Sequence, residues 1–360
     1  MTGGVYLHVP FCAAKCPYCD FYSQRGTAAD YDRYLAAMLR AIDGFNGLLK
    51  ADTLYFGGGT PVLLGAERLI ALLSAVKHRF GKDPAEVTIE ANPCSVDEPF
   101  LRQLVGGGFN RISFGVQSMN DETLRTLGRR HSAERAAEMI LAASRAGFEH
   151  ISADLMLAVP GQNLEEIGTS IKVLAALPVD HLSAYLLKIE PDTFFAKRYA
   201  DPDEDFAADC YLKMVESCHQ NGFAQYEISN FAKRKSAQSL HNLKYWRCQS
   251  YLGIGPAAHS FFDGKRFYFP RNLPAFTTAE NPWDITVDDG LGGDEDERLM
   301  LGLRLSEGVR FDAFSANFAE RIKKKAPPLE SAGLLTINDV SISLTTQGFL
   351  LSNAVIAALL

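Results

Sequence analysis

The chain contains no run of about 20 apolar residues, the length a membrane-spanning helix needs. It also lacks a basic excess: 36 lysines and arginines stand against 43 aspartates and glutamates, a formal charge of −7. That balance excludes a nucleic-acid binder held by bulk positive charge. No basic segment leads into an apolar signal core, because MTGG passes straight into a strand-like VYLHVPF. A cytoplasmic location is therefore the expectation. No repeat of solenoid period and no low-complexity tract is present. Cysteine is sparse and odd-numbered, at seven, and Cys94, Cys210, Cys218 and Cys248 are scattered. A disulfide framework would be denser and even. The remainder, 47% hydrophobic and 22% charged, is the composition of an ordinary globular protein.

Strand-like and helix-like runs alternate six times. VYLHVPF precedes an amphipathic stretch from Tyr31 to Phe45, and TLYFGGGT precedes AERLIALLSAVKHRF. EVTIEANP, RISFGVQS, HISADLML and HLSAYLLKI each lead into a further helical pattern. Repeated β-α units imply a parallel sheet with right-handed crossovers. Six of them predict an α/β fold, a partial (β/α)6 barrel open on one side; a doubly wound open sheet competes, since strand order is not legible. In both arrangements ligands sit at the carboxyl ends of the strands. The expected division is a barrel core at 1–235, a loop-rich connecting segment at 236–290 and a C-terminal domain at 291–360. FAQYEISNFA reads as one more strand, and DEDERLMLGLRLSEGV as a helix with an acidic first turn. The tail reads as a hairpin turning at Asn338-Asp339 and then a helix, which makes the last domain winged-helix-like.

Three cysteines, Cys12, Cys16 and Cys19, fall within CAAKCPYC. Four thiolates would close a tetrahedral zinc or iron–sulfur site, whereas three leave a metal corner open. Spacing alone leaves open a zinc knuckle lacking one ligand, a chance cluster, or a [4Fe–4S] cluster with a free iron. C-x3-C-x2-C resembles the signature of the radical S-adenosylmethionine (SAM) superfamily. That resemblance implies a [4Fe–4S] cluster on the three thiols, with the amino and carboxylate groups of SAM on the open iron.

SAM brings a carboxylate, an ammonium, a sulfonium, a ribose diol and an adenine, and the strand ends offer partners. GGGTP, with Gly58, Gly59 and Thr60, permits close backbone approach and resembles the family's glycine motif. Glu90 in TIEANP and Gln117 in GVQS end strands with polar side chains. Arg129 in LGRRH offers a planar fork to a carboxylate. Asp154 is an acid within an apolar strand and needs a partner; a structural salt bridge is the alternative for it and Arg129. Tyr6 and Tyr18 flank the thiols and are positioned to pack on adenine or cluster, or simply in the core.

The likeness extends over the whole chain to the group of oxygen-independent coproporphyrinogen dehydrogenases, through YLHVPFCAAKCPYCDF, LYFGGGTP, EANP, FNRISFGVQSMNDETLRTLGRRH and DLMLAVPGQ. It implies SAM binding at Tyr6, Tyr18, Gly58, Gly59, Thr60, Glu90, Gln117, Arg129 and Asp154, with a backbone contact at Lys188. One branch, the dehydrogenases, carries a further cysteine two residues after the third; here that residue is Phe21. The other branch, the HemW-type haem chaperones, carries H-N-x-x-Y-W, and this chain has HNLKYW at 241–246. Both features resemble the haem-chaperone branch. It implies haem, an acceptor protein, an electron donor, a homodimer when the cluster is present, peripheral contact with membrane haemoproteins and no nucleic acid. Haem would then meet His241, Tyr245 and Trp246, with His259 and Cys248 as weaker ligand candidates; the alternative is that the motif ties its loop onto the barrel. Two other functions compete with this one: oxidative decarboxylation of coproporphyrinogen to protoporphyrinogen, and a winged-helix regulator, for which RIKKK (321–325) is only a modest basic cluster.

Overall fold

The structure, a computed structural model, describes residues 1–81 and 83–360. All six expected strand–helix units form: β1 (Thr2–Val9), α1 (Ala28–Asp43), β2 (Lys50–Gly58), α2 (Ala66–Phe80), β3 (Glu86–Ala91), α3 (Glu98–Gly107), β4 (Arg111–Gln117), α4 (Asp121–Thr126), α5 (Ala133–Ala146), β5 (His150–Leu157), α6 (Leu164–Ala176), β6 (His181–Leu186) and α7 (Glu204–Gln220). Local chemistry sets their limits. Helix α1 starts at a capping box: Thr27 Oγ1 accepts from Asp30 N, and the Asp30 carboxylate accepts from Thr27 N at 2.8 Å. Its Tyr34, Ala37, Met38, Ala41 and Ile42 recur at helical spacing and are buried.

Strands β1 to β6 pair in sequential order and all in parallel. Order without reversal is that of a barrel segment; a doubly wound sheet would change direction at a switch point. Interior side chains therefore converge, and all six carboxyl ends share one rim.

The sheet continues past both outer strands. After α7 come β7 (Ala224–Gln225), β8 (Asn230–Ala232), α8 (Leu240–Trp246), β9 (Tyr251–Ile254), β10 (His259–Phe262), β11 (Lys265–Tyr268), α9 (Leu273–Thr278) and β12 (Val287–Leu291). Strand β9 lies parallel beside β1, and β10, β11 and β12 extend from it antiparallel. The stretch 236–290, expected to be loop-rich, thus supplies four strands of a twelve-stranded sheet and two helices. FAQYEISNFA, expected as one strand, is split by a turn into β7 and β8, which continue the sheet antiparallel from β6. Among the described residues no ladder joins β12 to β7, so the barrel stays open on one side.

The C-terminal region holds α10 (Glu295–Gly302), β13 (Val309–Arg310), α11 (Ala316–Ser331), β14 (Leu335–Ile337), β15 (Ser341–Leu344), α12 (Thr346–Leu350) and α13 (Ser352–Leu359). The hairpin turns where expected: Asn338 Oδ1 accepts from Val340 N and Ser341 N, both at 2.8 Å. Strand β13 adds a third member to this small sheet, giving the winged-helix-like pattern of helices and a three-stranded sheet.

Candidate functional site

The barrel interior contains a cavity of about 580 Å³, within the range of small-molecule sites. Cys12, Cys16 and Cys19 line its upper rim on the loop between β1 and α1. That loop is clamped to the glycine segment that ends β2. Gly59 N donates to Val9 O at 2.9 Å, and Thr60 N to Phe11 O at 2.7 Å. A Cβ on Gly59 would sit 2.5 Å from Phe11 O. Gly58 has φ +109°, and a Cβ there would lie 2.6 Å from the His8 ring. Only glycine fits both places.

The three thiols are free and half-buried. Among the described residues no three His, Cys, Asp or Glu converge closely enough to hold one metal ion. By donor type the three thiols fit a [4Fe–4S] cluster, in which each thiolate takes a different iron. Burial pushes the Cys19 thiol up, and the nearby Cys16 and Cys12 sulfurs add to the shift; positive charge delivered by iron would offset that cost.

Strand ends supply the walls. Glu90, at the end of β3, accepts the Tyr55 hydroxyl at 2.8 Å on Oε1 and Gly58 N–H at 3.1 Å on Oε2. Burial raises its carboxyl to about 7. Asp154 on β5 accepts from Ser113 Oγ at 3.0 Å, and burial raises it to about 6. Gln117 ends β4 with φ +69°, where the β4–β5 register slips; a non-glycine residue in that region marks stored strain, a frequent feature of ligand sites. Arg129 reaches across from the loop after α4. It donates to Gly115 O at 2.5 Å and to Asn92 Oδ1, and lies 3.5 Å from both Cys16 Sγ and Tyr18 Oη. Asn92 Nδ2 in turn donates to Thr60 Oγ1 at 3.0 Å, which lies 3.5 Å from Cys12 Sγ. One polar chain thus ties arginine to the thiol rim.

The floor lies at the amino ends of the strands and is formed by helix α8. Glu86, at the start of β3, accepts from Leu240 N at 3.0 Å and His241 N at 2.9 Å, a carboxylate on a helix N-terminus. Arg111, at the start of β4, donates to Ala237 O at 2.9 Å and stands 3.6 Å from Glu86 Oε2. Asn242 and Ser239 face the cavity from below.

Tyr18, Gly58, Gly59, Thr60, Glu90, Gln117, Arg129, Asp154 and Lys188 all line this one cavity together with the three thiols. Tyr6 does not: its hydroxyl bonds His8 Nδ1 at 3.1 Å and its ring packs against Tyr55. At HNLKYW, expected either to meet haem or to tie its loop onto the barrel, the side chains are paired with other protein groups. His241 is 1% exposed; its Nδ1 pairs with Thr53 Oγ1 at 2.9 Å and its Nε2 with Tyr245 Oη at 3.0 Å. Both ring nitrogens are thus paired within the protein, and burial lowers the ring to about 3, so it is neutral. Trp246 packs away from the cavity beside Leu243 and Leu305, under Arg304. His259 and Cys248 are outside the lining as well. Tyr55, Asn92, Glu86 and Arg111 were not anticipated. The available signal for the last two was a charged residue opening each of two adjacent strands.

The chain matches the family model of the radical SAM superfamily over residues 6–174 and that of the HemN C-terminal domain over 296–351. It is 37% identical to the haem chaperone HemW of Mycobacterium tuberculosis (strain ATCC 25618 / H37Rv), over 99% of this chain and 94% of the relative. It is 32% identical to the haem chaperone HemW of Bacillus subtilis (strain 168), over 99% and 98%. Among solved structures, coproporphyrinogen III oxidase (HemN) from Escherichia coli, a radical SAM enzyme, superposes with a TM-score of 0.84 at 23% identity, covering 99% of this chain and 89% of that one. At that identity the likeness speaks for the fold.

Proposed function

The chain belongs to the HemW family within the radical SAM superfamily, and from that premise we propose that it binds haem and delivers it to an acceptor protein. In this reading Cys12, Cys16 and Cys19 hold a [4Fe–4S] cluster, and SAM exchanges in the cavity beneath it. When bound, such a cluster supplies one electron at an iron that no protein side chain occupies. The rest falls to the chain's own residues. Arg129 would take the ligand carboxylate, and its links to Gly115 and Asn92 fix the fork. Glu90 and Asp154 would meet the cationic and hydroxyl groups. Glycines 58 and 59 let backbone approach the ligand closely. Gln117 and Tyr18 complete the walls.

The observation that favours a chaperone over a decarboxylase is Phe21. The residue two past Cys19 is a cysteine in the enzymes this chain resembles; here it is a phenylalanine, 67% exposed at the cavity mouth. The test is anaerobic reconstitution with SAM, reductant and coproporphyrinogen III, beside a haem titration. The reading predicts a shifted Soret band, haem transfer to an apo-haemoprotein and no protoporphyrinogen. Sustained protoporphyrinogen would overturn it in favour of the oxidase. A one-electron donor, a homodimer with the cluster in place, a cytoplasmic location and peripheral contact with membrane haemoproteins belong to the same proposal; no helix among the described residues is long and apolar enough to cross a membrane.

A further inference from the structure

Tyr55 stands between the two ends of the barrel interior. Above, its hydroxyl donates to Glu90 Oε1 at 2.8 Å. Below, its ring lies against His241, with centroids 5.2 Å apart and planes at 35°. Tyr6 packs beside it at 6.0 Å. His241 is itself held on both sides, by Thr53 Oγ1 and Tyr245 Oη. Tyr245 meets Tyr251 edge-on at 4.5 Å, and α8 is anchored by Glu86 at its N-terminus. This aromatic stack leaves the Tyr55 ring no room to swing down. Its hydroxyl therefore stays on one carboxylate oxygen while Gly58 N–H keeps the other.

We propose that Tyr55 is a positioning residue for Glu90, and that the H-N-x-x-Y-W helix acts through His241 as the floor that holds Tyr55 in place. The motif then serves the cavity ligand and is not a source of an iron ligand. The inference rests on the reading that Glu90 faces SAM. Loss of the hydroxyl would free Oε1 to turn and would make the anion harder to form. The groups that face Glu90 are Tyr55, the Gly58 N–H and Asp154, with Tyr6 and Tyr245 behind them.

The experiment uses the full chain, reconstituted anaerobically, as wild type, Tyr55→Phe, His241→Ala and the double variant. SAM affinity is measured by calorimetry from pH 6 to 8, and iron and sulfide are assayed on each sample. Tyr55→Phe should bind SAM roughly three- to tenfold more weakly at unchanged iron content, as expected for one charge-assisted hydrogen bond acting at one remove. The midpoint of its pH dependence should move upward, a change that a general loss of packing would not cause. His241→Ala should weaken SAM comparably, and the double variant should be no worse than the poorer single, because both act on one carboxylate. A Tyr55→Phe affinity within twofold of wild type with the same pH midpoint overturns the proposal; additive losses overturn the role of the helix. Isotope-edited infrared titration of the Glu90 carboxyl in SAM-free protein separates the two layers. If wild type binds no SAM, the cavity assignment fails; if the Glu90 midpoint is the same in Tyr55→Phe, the positioning role fails by itself.

Discussion

Replacing Gly59 with alanine adds one methyl group and should break the metal site. The new Cβ would lie 2.5 Å from Phe11 O and 3.0 Å from both Phe11 C and Phe11 N. Real Cβ contacts do not fall below 3.0 Å, so the backbone beside Cys12 must retreat by at least 0.5 Å, the difference between 3.0 and 2.5. Nothing flexible is available to absorb it, since the obstacle is main chain. That main chain is also pinned, because Phe11 O accepts from Thr60 N at 2.7 Å and Cys12 N donates to Gln24 O at 3.0 Å. Overpacking of this kind costs about 1–3 kcal/mol. A shift of about 0.5 Å is also near the tolerance within which a constellation of ligands must be held. Gly59→Ala should therefore fold with a modest loss of stability, yet carry well under half the wild-type iron and sulfide after anaerobic reconstitution. Thermal melts and iron–sulfide assays on the same sample separate the two effects. A variant that takes up iron at the wild-type level and binds SAM normally would refute the argument that the glycine segment sets the position of the first thiol.

Other consequences can be checked alongside. Glu90, raised to about 7 by burial, is largely protonated at pH 6 and ionised at pH 8; a cationic ligand favours the ionised form, so SAM affinity should rise roughly tenfold over that interval, and a flat profile would remove Glu90 from the ligand's surroundings. Arg111 and Glu86 are an ion pair whose side chains are 2% and 4% exposed; Arg111→Met leaves the carboxylate buried and should cost roughly 3–5 kcal/mol in chemical denaturation, with Glu86→Gln restoring part of it, whereas a loss below about 1 kcal/mol would show that the pair does not anchor α8. His241→Ala should leave the Soret maximum of the haem complex where it is in wild type; disappearance of the haem shift would mean that α8 opens and releases the imidazole to iron.

The upper half of this site was legible in the sequence and the lower half was not. Cys12, Gly58, Glu90, Gln117 and Asp154 each sit at or near the carboxyl end of an apolar strand, so a local pattern is enough to bring them to one rim. The i, i+4 contact between His241 and Tyr245 was equally readable, because it lies within a single helical turn. What faces that pair was not, because Thr53 is 188 residues away in the chain. Strands β9 to β12 escaped for a similar reason. They are four or five residues long, and β9 is defined by its pairing with β1, Gly4 opposite Tyr251. Gly253 looks like a loop residue, yet it is there because a Cβ would lie 2.2 Å from His259 O. Tyr55 reads as an ordinary strand aromatic until the barrel curves it onto Glu90.

The most direct test of the whole account is electron paramagnetic resonance of the anaerobically reconstituted, reduced protein, recorded without and then with SAM. The account predicts about four irons per chain, a signal lost when any of Cys12, Cys16 or Cys19 is changed to serine, and a spectrum that changes when SAM is added. Protein that acquires no such signal, or whose spectrum SAM leaves untouched because a fourth side chain already holds the remaining iron, would contradict it.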